Sequence, residues 1–250
     1  FTAVTSGIEE NASDSNVDKA ALRTLIDQTQ ALVDACYDVK GDNKVFKYGG
    51  SLYITEADAE EAAAAVEAAE VTYNSATLTQ TQCDAEVTRM QGVYDKLAYA
   101  VSHANLPVRV TTDLANPYIY TIGINRSATS LLEWDANTSM VDVAGKYEFG
   151  NEAQAWCFFD ATDGCVYIAP YQEFSSSSYR VLSSNALSEG DSKVIDVVKG
   201  TDGYTQEWAI VYNAGKNMYN IYCLNDNGDK FYFSNHGGDG KKMGFYNDVN

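Results

Sequence analysis

Residues 206–237 read QEWAIVYNAGKNMYNIYCLNDNGDKFYFSNHG. Three short apolar and aromatic runs, 208–212, 219–224 and 231–234, alternate with clusters of Asn, Asp and Gly. Runs of this length and composition predict strands, and the polar clusters between them predict hairpin turns. An earlier copy starts at Gln154-Ala155-Trp156 and continues through 157–160, a Thr-Asp-Gly turn, 166–168 and a run at 179–182. Gln206 follows Gln154 by 52 positions, and Phe231 follows Gln206 by the same 25 positions that separate Tyr179 from Gln154. Two copies in phase are an internal repeat, and the repeat decides the fold.

Upstream of the repeat, strand-like runs occur at 118–124, 131–134, 140–143 and 147–149, the first of them just after Asn116-Pro117. A final run lies at 243–246. Short strands at regular spacing with Gly, Asn and Asp turns predict an all-β barrel or sandwich for residues 106–250.

The first hundred residues follow a different period. Residues 1–16 are small and polar and read as a flexible lead-in. Leu22, Leu25, Ile26, Thr29, Leu32, Val33 and Cys36 then form one helical stripe, with Ser15 and Asp18 spaced as a capping box. A second, alanine-rich helix opens at Thr55 with Asp58 three residues on. The third carries Cys83, Val87, Met90, Tyr94, Leu97 and Val101 as an a/d seam. One apolar stripe per helix predicts an up-down-up three-helix bundle over 17–105, ended by Asn105-Leu106-Pro107. The long connection 39–54, with Phe46, Tyr48 and Tyr53, reads as a flap over one end of it. The fold class is therefore α+β with two domains.

Composition limits the partners. A net charge of −18 disfavours a phosphate backbone and an anionic membrane surface, so nucleic acid is not expected as a partner. No apolar run is long enough to span a bilayer, and no membrane insertion is expected. The start at Phe1, without Met or a charged-then-apolar leader, suggests a mature or trimmed chain. Five cysteines without a C-x-x-C pair, and only two histidines, argue against a zinc site. Cys36 and Cys83 fall at opposite ends of the expected bundle, more than roughly 20 Å apart, and read as buried free thiols. Cys157 and Cys165 flank a hairpin, and pairing symmetric about Ala161 sets them opposite, which leaves a cross-strand disulfide and two separate thiols both open.

The paired Gln-x-Trp sites, each followed by a hairpin and a further strand, resemble the ricin-type β-trefoil over about residues 117–250. The resemblance implies a three-lobed barrel with Trp156 and Trp208 as core residues of two lobes. Adding the period to Gln206 puts a third Gln-x-Trp near position 258, so the third lobe is expected to be incomplete within these 250 residues. Residues 17–104 resemble the FIVAR-type helical modules of secreted bacterial glycosidases and surface proteins, which implies a spacer or adhesive module. Residues 107–126 are similar to a segment that introduces such trefoils in surface glycan-processing proteins of gut Bacteroidetes.

Ricin-type lobes place an Asp, an aromatic platform and an Asn just before the Gln around the sugar. Here Ala153 and Thr205 occupy that last position. Tyr147 with Asn151 in the first lobe, Asp202 with Tyr204 in the second, and the pair Trp134-Asp135 are the alternative ligand-binding candidates. Each joins an aromatic face, which stacks on the apolar side of a sugar ring, to a group that hydrogen-bonds its hydroxyls. The Asn-Asp-Asn-Gly-Asp run at 225–229 lacks the terminal Glu of a calcium loop and reads as a tight turn, and the Gly-rich 236–240 as a loop. His103, at the frayed end of the third helix, reads as a C-terminal cap. No nucleophile–base pair assembles, and neither catalysis nor a cofactor is expected. The expected function is a non-catalytic, secreted or cell-surface module that binds a glycan or glycoprotein as an accessory part of a larger protein. The alternative is a protein-interaction or structural adhesion module whose trefoil has lost its sugar pockets.

Overall fold

The computed structural model describes residues 17–41, 43–124, 130–135, 140–144, 146–173, 179–184, 190–191, 195–225, 227–234 and 243–246. The lead-in, the expected cap at Ser15 and the loop 236–240 lie outside these residues. The chain forms two compact units, Phe1–Ala104 and Asn105–Asn250, mixed α+β in content.

The first unit holds α1 (Ala20–Ala35), α2 (Glu56–Tyr73) and α3 (Gln80–His103), each packed against the other two. Leu22 and Ile26 of α1 share a core cluster with Val66 and Ala69 late in α2 and Cys83 and Met90 early in α3. Val33 and Cys36 share the other cluster with Ala59 and Ala62 early in α2 and Leu97 and Ala100 late in α3. Thus α2 runs opposite to its neighbours, its alanines adding little bulk between them. Cys36 and Cys83 are fully buried free thiols in separate clusters. Thr55 and Asp58 form the expected capping box, and Thr79 with Gln82 forms a second. The start of α1 departs from the reading: the N-cap is Lys19, without a side-chain cap, and the Asp18 carboxylate accepts from the Ala20 amide instead.

The connection after α1 is an antiparallel hairpin, β1 (Tyr37–Lys40) with β2 (Asn43–Phe46). Tyr37, Phe46 and Tyr48 pack edge to face in series and cover the second cluster. His103 is not at a frayed end. It is 3% exposed, stacked on Tyr99 at 4.1 Å, with Nδ1 2.9 Å from the Tyr99 carbonyl. No helix among the described residues is long and apolar enough to cross a membrane.

The second unit is built from small antiparallel sheets. Hairpins β5 (Trp156–Asp160) with β6 (Val166–Pro170) and β10 (Ala209–Asn213) with β11 (Met218–Leu224) correspond across the repeat. β3 (Leu131–Asp135) with β4 (Met140–Ala144), and β7 (Arg180–Ser183) with β9 (Ile195–Val198), join in one four-stranded sheet of order β3-β4-β9-β7. β12 (Lys230–Ser234) and β13 (Gly244–Tyr246) pair next to β11, and β8 (Gly190–Asp191) closes the order β10-β11-β12-β13-β8.

The repeat is visible bond by bond. Trp156 and Trp208 are both fully buried. Trp156 exchanges both backbone hydrogen bonds with Tyr120, and Trp208 does the same with Val166, all at 2.9 Å. Their indole N–H groups donate to the Leu132 and Leu182 carbonyls at 3.2 and 3.0 Å. Gln154 accepts from the Glu148 amide at 2.9 Å, and Gln206 accepts from the Gly200 amide at 2.7 Å. Gln154 Nε2 donates to the Glu133 carboxylate and the Lys146 carbonyl, whereas Gln206 Nε2 donates to the Ser183 hydroxyl.

Two expected strands are absent as ladders. The amide of Glu148 is spent on the Gln154 side chain, and Gly150 turns the chain at φ +78°, so 147–149 forms an exposed bend. In 118–124 the backbone is divided among partners: Tyr118 N–H goes to Thr111, Tyr120 pairs with Trp156, and Ile122 and Ile124 bond the 130–132 segment. Only isolated bridges result. The 225–229 run is a turn between β11 and β12. Asn225 Oδ1 accepts from the Asn227 and Asp229 amides, and Gly228 supplies φ +83°.

Replacing Gln206 by Ala removes the acceptor of the Gly200 amide, the anchor of its loop, and one of two partners of the buried Ser183 hydroxyl, which still donates to the Val181 carbonyl. Urea unfolding of Gln206→Ala is expected to show a loss of about 1–3 kcal/mol.

Candidate functional site

A cleft of the second unit, about 740 Å³, opens where the second repeat unit meets the β5–β6 turn. Its wall comprises the 3-10 turn Thr162–Gly164, the strand start at Cys165 and Tyr167, the loop from Gly200 to Glu207, and Tyr222–Leu224 of β11. The loop is held by two buried anchors. Gln206 fixes the loop through Gly200, and Trp208 clamps the end of that loop to Val166.

Within the cleft, Glu207 is the organising charge. Its carboxylate accepts hydrogen bonds from the Thr162 hydroxyl and, at 3.0 Å, from the Tyr167 phenol. Desolvation first, then this bond to Glu207, pushes the Tyr167 phenol up to about 12. Lys199 Nζ lies 4.6 Å from the Tyr167 ring centroid, a cation–π contact that braces the ring. Asp163, on the lip, is held at φ +51°, a left-handed conformation that Asp tolerates better than most residues. Among the described residues, Asp163, Asp202 and Glu207 are the charged side chains of the lining, with Lys199 and Lys230 lying over the rings of its Tyr167 and Tyr222. Tyr167, Tyr204 and Tyr222 supply its aromatic surface. The arrangement offers carboxylates that accept from hydroxyl groups and rings that stack on an apolar face.

The candidate residues separate clearly. Asp202 and Tyr204 both line this cleft. Tyr147 is exposed on the bend of the first repeat unit. Asn151, next to it in the chain, is committed to local structure: it caps the Glu152–Gln154 turn and donates to the Glu133 carboxylate. Trp134 is 5% exposed, so its ring is not a platform for a ligand. Its indole N–H has no partner among the described residues. Asp135 follows it at the end of β3, away from the cleft lining.

Glu207, Tyr167 and Thr162 escaped the sequence reading. One signal was available: the middle residue of Gln-x-Trp is Glu207 in one copy and Ala155 in the other. The thiols also differ from one of the two alternatives. The β5–β6 register pairs Cys157 with Ala169, because the turn centres two residues beyond Ala161, and Cys157 and Cys165 are free. Burial pushes the Cys157 thiol up to about 11 and the Cys223 thiol up to about 12. Among the described residues no cluster of His, Cys, Asp or Glu is arranged to hold a metal ion.

Comparison of the chain with protein-family models, with curated proteins and with solved structures gives no match.

Two outcomes follow from the titrations. A difference titration at 295 nm between the protein and Tyr167→Phe is expected to isolate one tyrosinate with a midpoint near 12, above the ordinary value of 10. The proton is held more tightly in the folded state. Its contribution to stability is therefore complete below pH 10 and is lost as pH rises from 10 towards 12. With iodoacetamide at pH 8, Cys165, the one half-exposed thiol, is expected to be labelled well before Cys36, Cys83, Cys157 and Cys223, as peptide mass mapping reads out.

Proposed function

We propose that this chain is a non-catalytic, glycan-binding accessory module of a secreted or cell-surface protein. In this reading the second unit is a β-trefoil-type domain and the first a three-helix bundle acting as spacer. The observation that carries it is the cleft of the second repeat unit, where Asp202, Glu207 and Asp163 stand among the rings of Tyr167, Tyr204 and Tyr222. Its volume falls in the range of small-ligand pockets, and its lining joins hydroxyl, amide and carboxylate groups to aromatic rings. With three carboxylates among the described lining residues, and with Lys199 and Lys230 engaged on the rings of Tyr167 and Tyr222, a neutral sugar fits better than a sialic or uronic acid. The in-phase hydrogen bonds of Gln154 and Gln206 support the trefoil part of the reading.

A second reading, a protein-interaction or structural adhesion module, is favoured by one observation. Ala153 and Thr205 stand where a ricin-type lobe carries its sugar-binding Asn. In that case the trefoil keeps its core and not its sugar sites.

A glycan array followed by titration calorimetry separates the two. Binding of a neutral oligosaccharide, weakened at least tenfold in Asp202→Ala and Tyr204→Ala and unchanged in Tyr147→Ala, is the expected result. Silence across host and dietary glycans favours the interaction module.

A further inference from the structure

The β10–β11 hairpin carries two tyrosines directly opposite one another, Tyr212 and Tyr219. Their ring centroids are 5.3 Å apart with the planes tilted by 55°, which is within the range of an aromatic contact. The surroundings fix the pair. Five ladder pairs run from Ala209 opposite Tyr222 to Asn213 opposite Met218. The turn beyond them is closed by the Lys216 amide, which donates to the Asn213 carbonyl at 3.2 Å. Asn217 stands in that turn at φ +51° and accepts the Tyr212 phenol on its Oδ1 at 2.8 Å. That bond sets the Tyr212 ring, and the register sets Tyr219 across from it. Both rings are open to solvent, Tyr212 at 49% and Tyr219 at 43%.

Two other tyrosine pairs differ. Tyr222 and Tyr232 also oppose each other across strands, at 5.5 Å, but both are half-buried. The Lys230 ammonium lies 4.7 Å from the Tyr222 ring centroid, and a cation over a ring opposes removal of an electron from it. Tyr53 and Tyr99 are 6.3 Å apart, and Tyr99 is stacked on the buried His103. Among the described residues no cation lies over Tyr212 or Tyr219.

We propose that Tyr212 and Tyr219 form an oxidative cross-linking site, at which a haem peroxidase with hydrogen peroxide joins the two rings by a carbon–carbon bond. Each phenol gives up one electron and one proton. The peroxide takes up both electrons and both protons and leaves as two waters. The two phenoxyl radicals couple at carbons ortho to their oxygens, and the displaced ortho hydrogens move to the oxygens to restore both phenols. The net change is the loss of one hydrogen atom from each tyrosine. Radicals on rings that already face each other couple within the chain before a second molecule arrives, the usual advantage of a high effective concentration. The new bond ties β10 to β11 beside their turn.

The test uses the 250-residue chain, first treated with iodoacetamide so that the half-exposed Cys165 does not consume the oxidant. A haem peroxidase and one equivalent of hydrogen peroxide are then added at low protein concentration. The expected product is a monomer lighter by two hydrogen atoms that shows dityrosine fluorescence. Trypsin leaves a Tyr212–Tyr219 link on peptides 200–216 and 217–230, and a Tyr222–Tyr232 link on 217–230 and 231–241. Tandem mass spectrometry then places the bond at Tyr212 and Tyr219, in place of Tyr204 and Tyr222 on the same peptides. Tyr219→Phe is expected to lower the dityrosine yield at least tenfold, and Tyr232→Phe to leave it unchanged. The peptide map is read on the unaltered chain, so the result does not depend on how either variant folds. An unchanged mass under conditions that couple free tyrosine, a bond at another pair, or dimers alone overturns the proposal.

Discussion

A primary amide taken out of water must find partners for its oxygen and for its N–H groups, or it costs more than its burial returns. Gln154 and Gln206 are buried, and each resolves this demand by gripping the backbone of a loop several residues upstream. That grip fixes where the loop ends and the Trp strand begins. The tryptophan then enters the core with its indole N–H aimed at a leucine carbonyl. The loop ends and the entry of both Trp strands in the second unit follow from satisfying two amides and two indoles.

The two copies have diverged where the demand is looser. The second hydrogen-bonding partner of the amide is a carboxylate at Glu133 in one copy and a hydroxyl at Ser183 in the other. The residue between Gln and Trp is free of the core and carries a methyl group in one copy and an acid in the other. Glu207 uses that freedom to collect Thr162 and Tyr167 into one polar cluster. Chemistry on this scaffold is decided by a position that the fold leaves unconstrained.

The helices were legible because burial imposes a period on them: Cys83, Met90 and Leu97 could be read straight down one face of α3. The repeat was legible for the same reason at longer range. What escaped were features set by backbone hydrogen bonds to side chains. Nothing in the composition of 147–149 announces that the Glu148 amide belongs to Gln154. Nor does it show that Trp134 points inward while Asp202 and Tyr204 face a cleft. The register of β5 against β6 turned on where a tight turn centres, and a shift of two residues moved Cys165 off the partner of Cys157.

The pairing of β8 with β13, Asp191 opposite Gly244, joins positions more than fifty residues apart in the chain. The capping boxes of the first unit close over three residues. Loop closure over such different lengths carries different entropic costs before any contact rewards it, and topology of this kind sets folding speed. The capped helix starts of the first unit can therefore form before the long-range ladders of the second. Until its ladders form, the β unit holds open strand edges, and Cys157 and Cys223, buried in the folded unit, are accessible. The time the second unit spends vulnerable to oxidation and to aberrant strand pairing is thus set by its long-range ladders, β4 with β9 and β8 with β13.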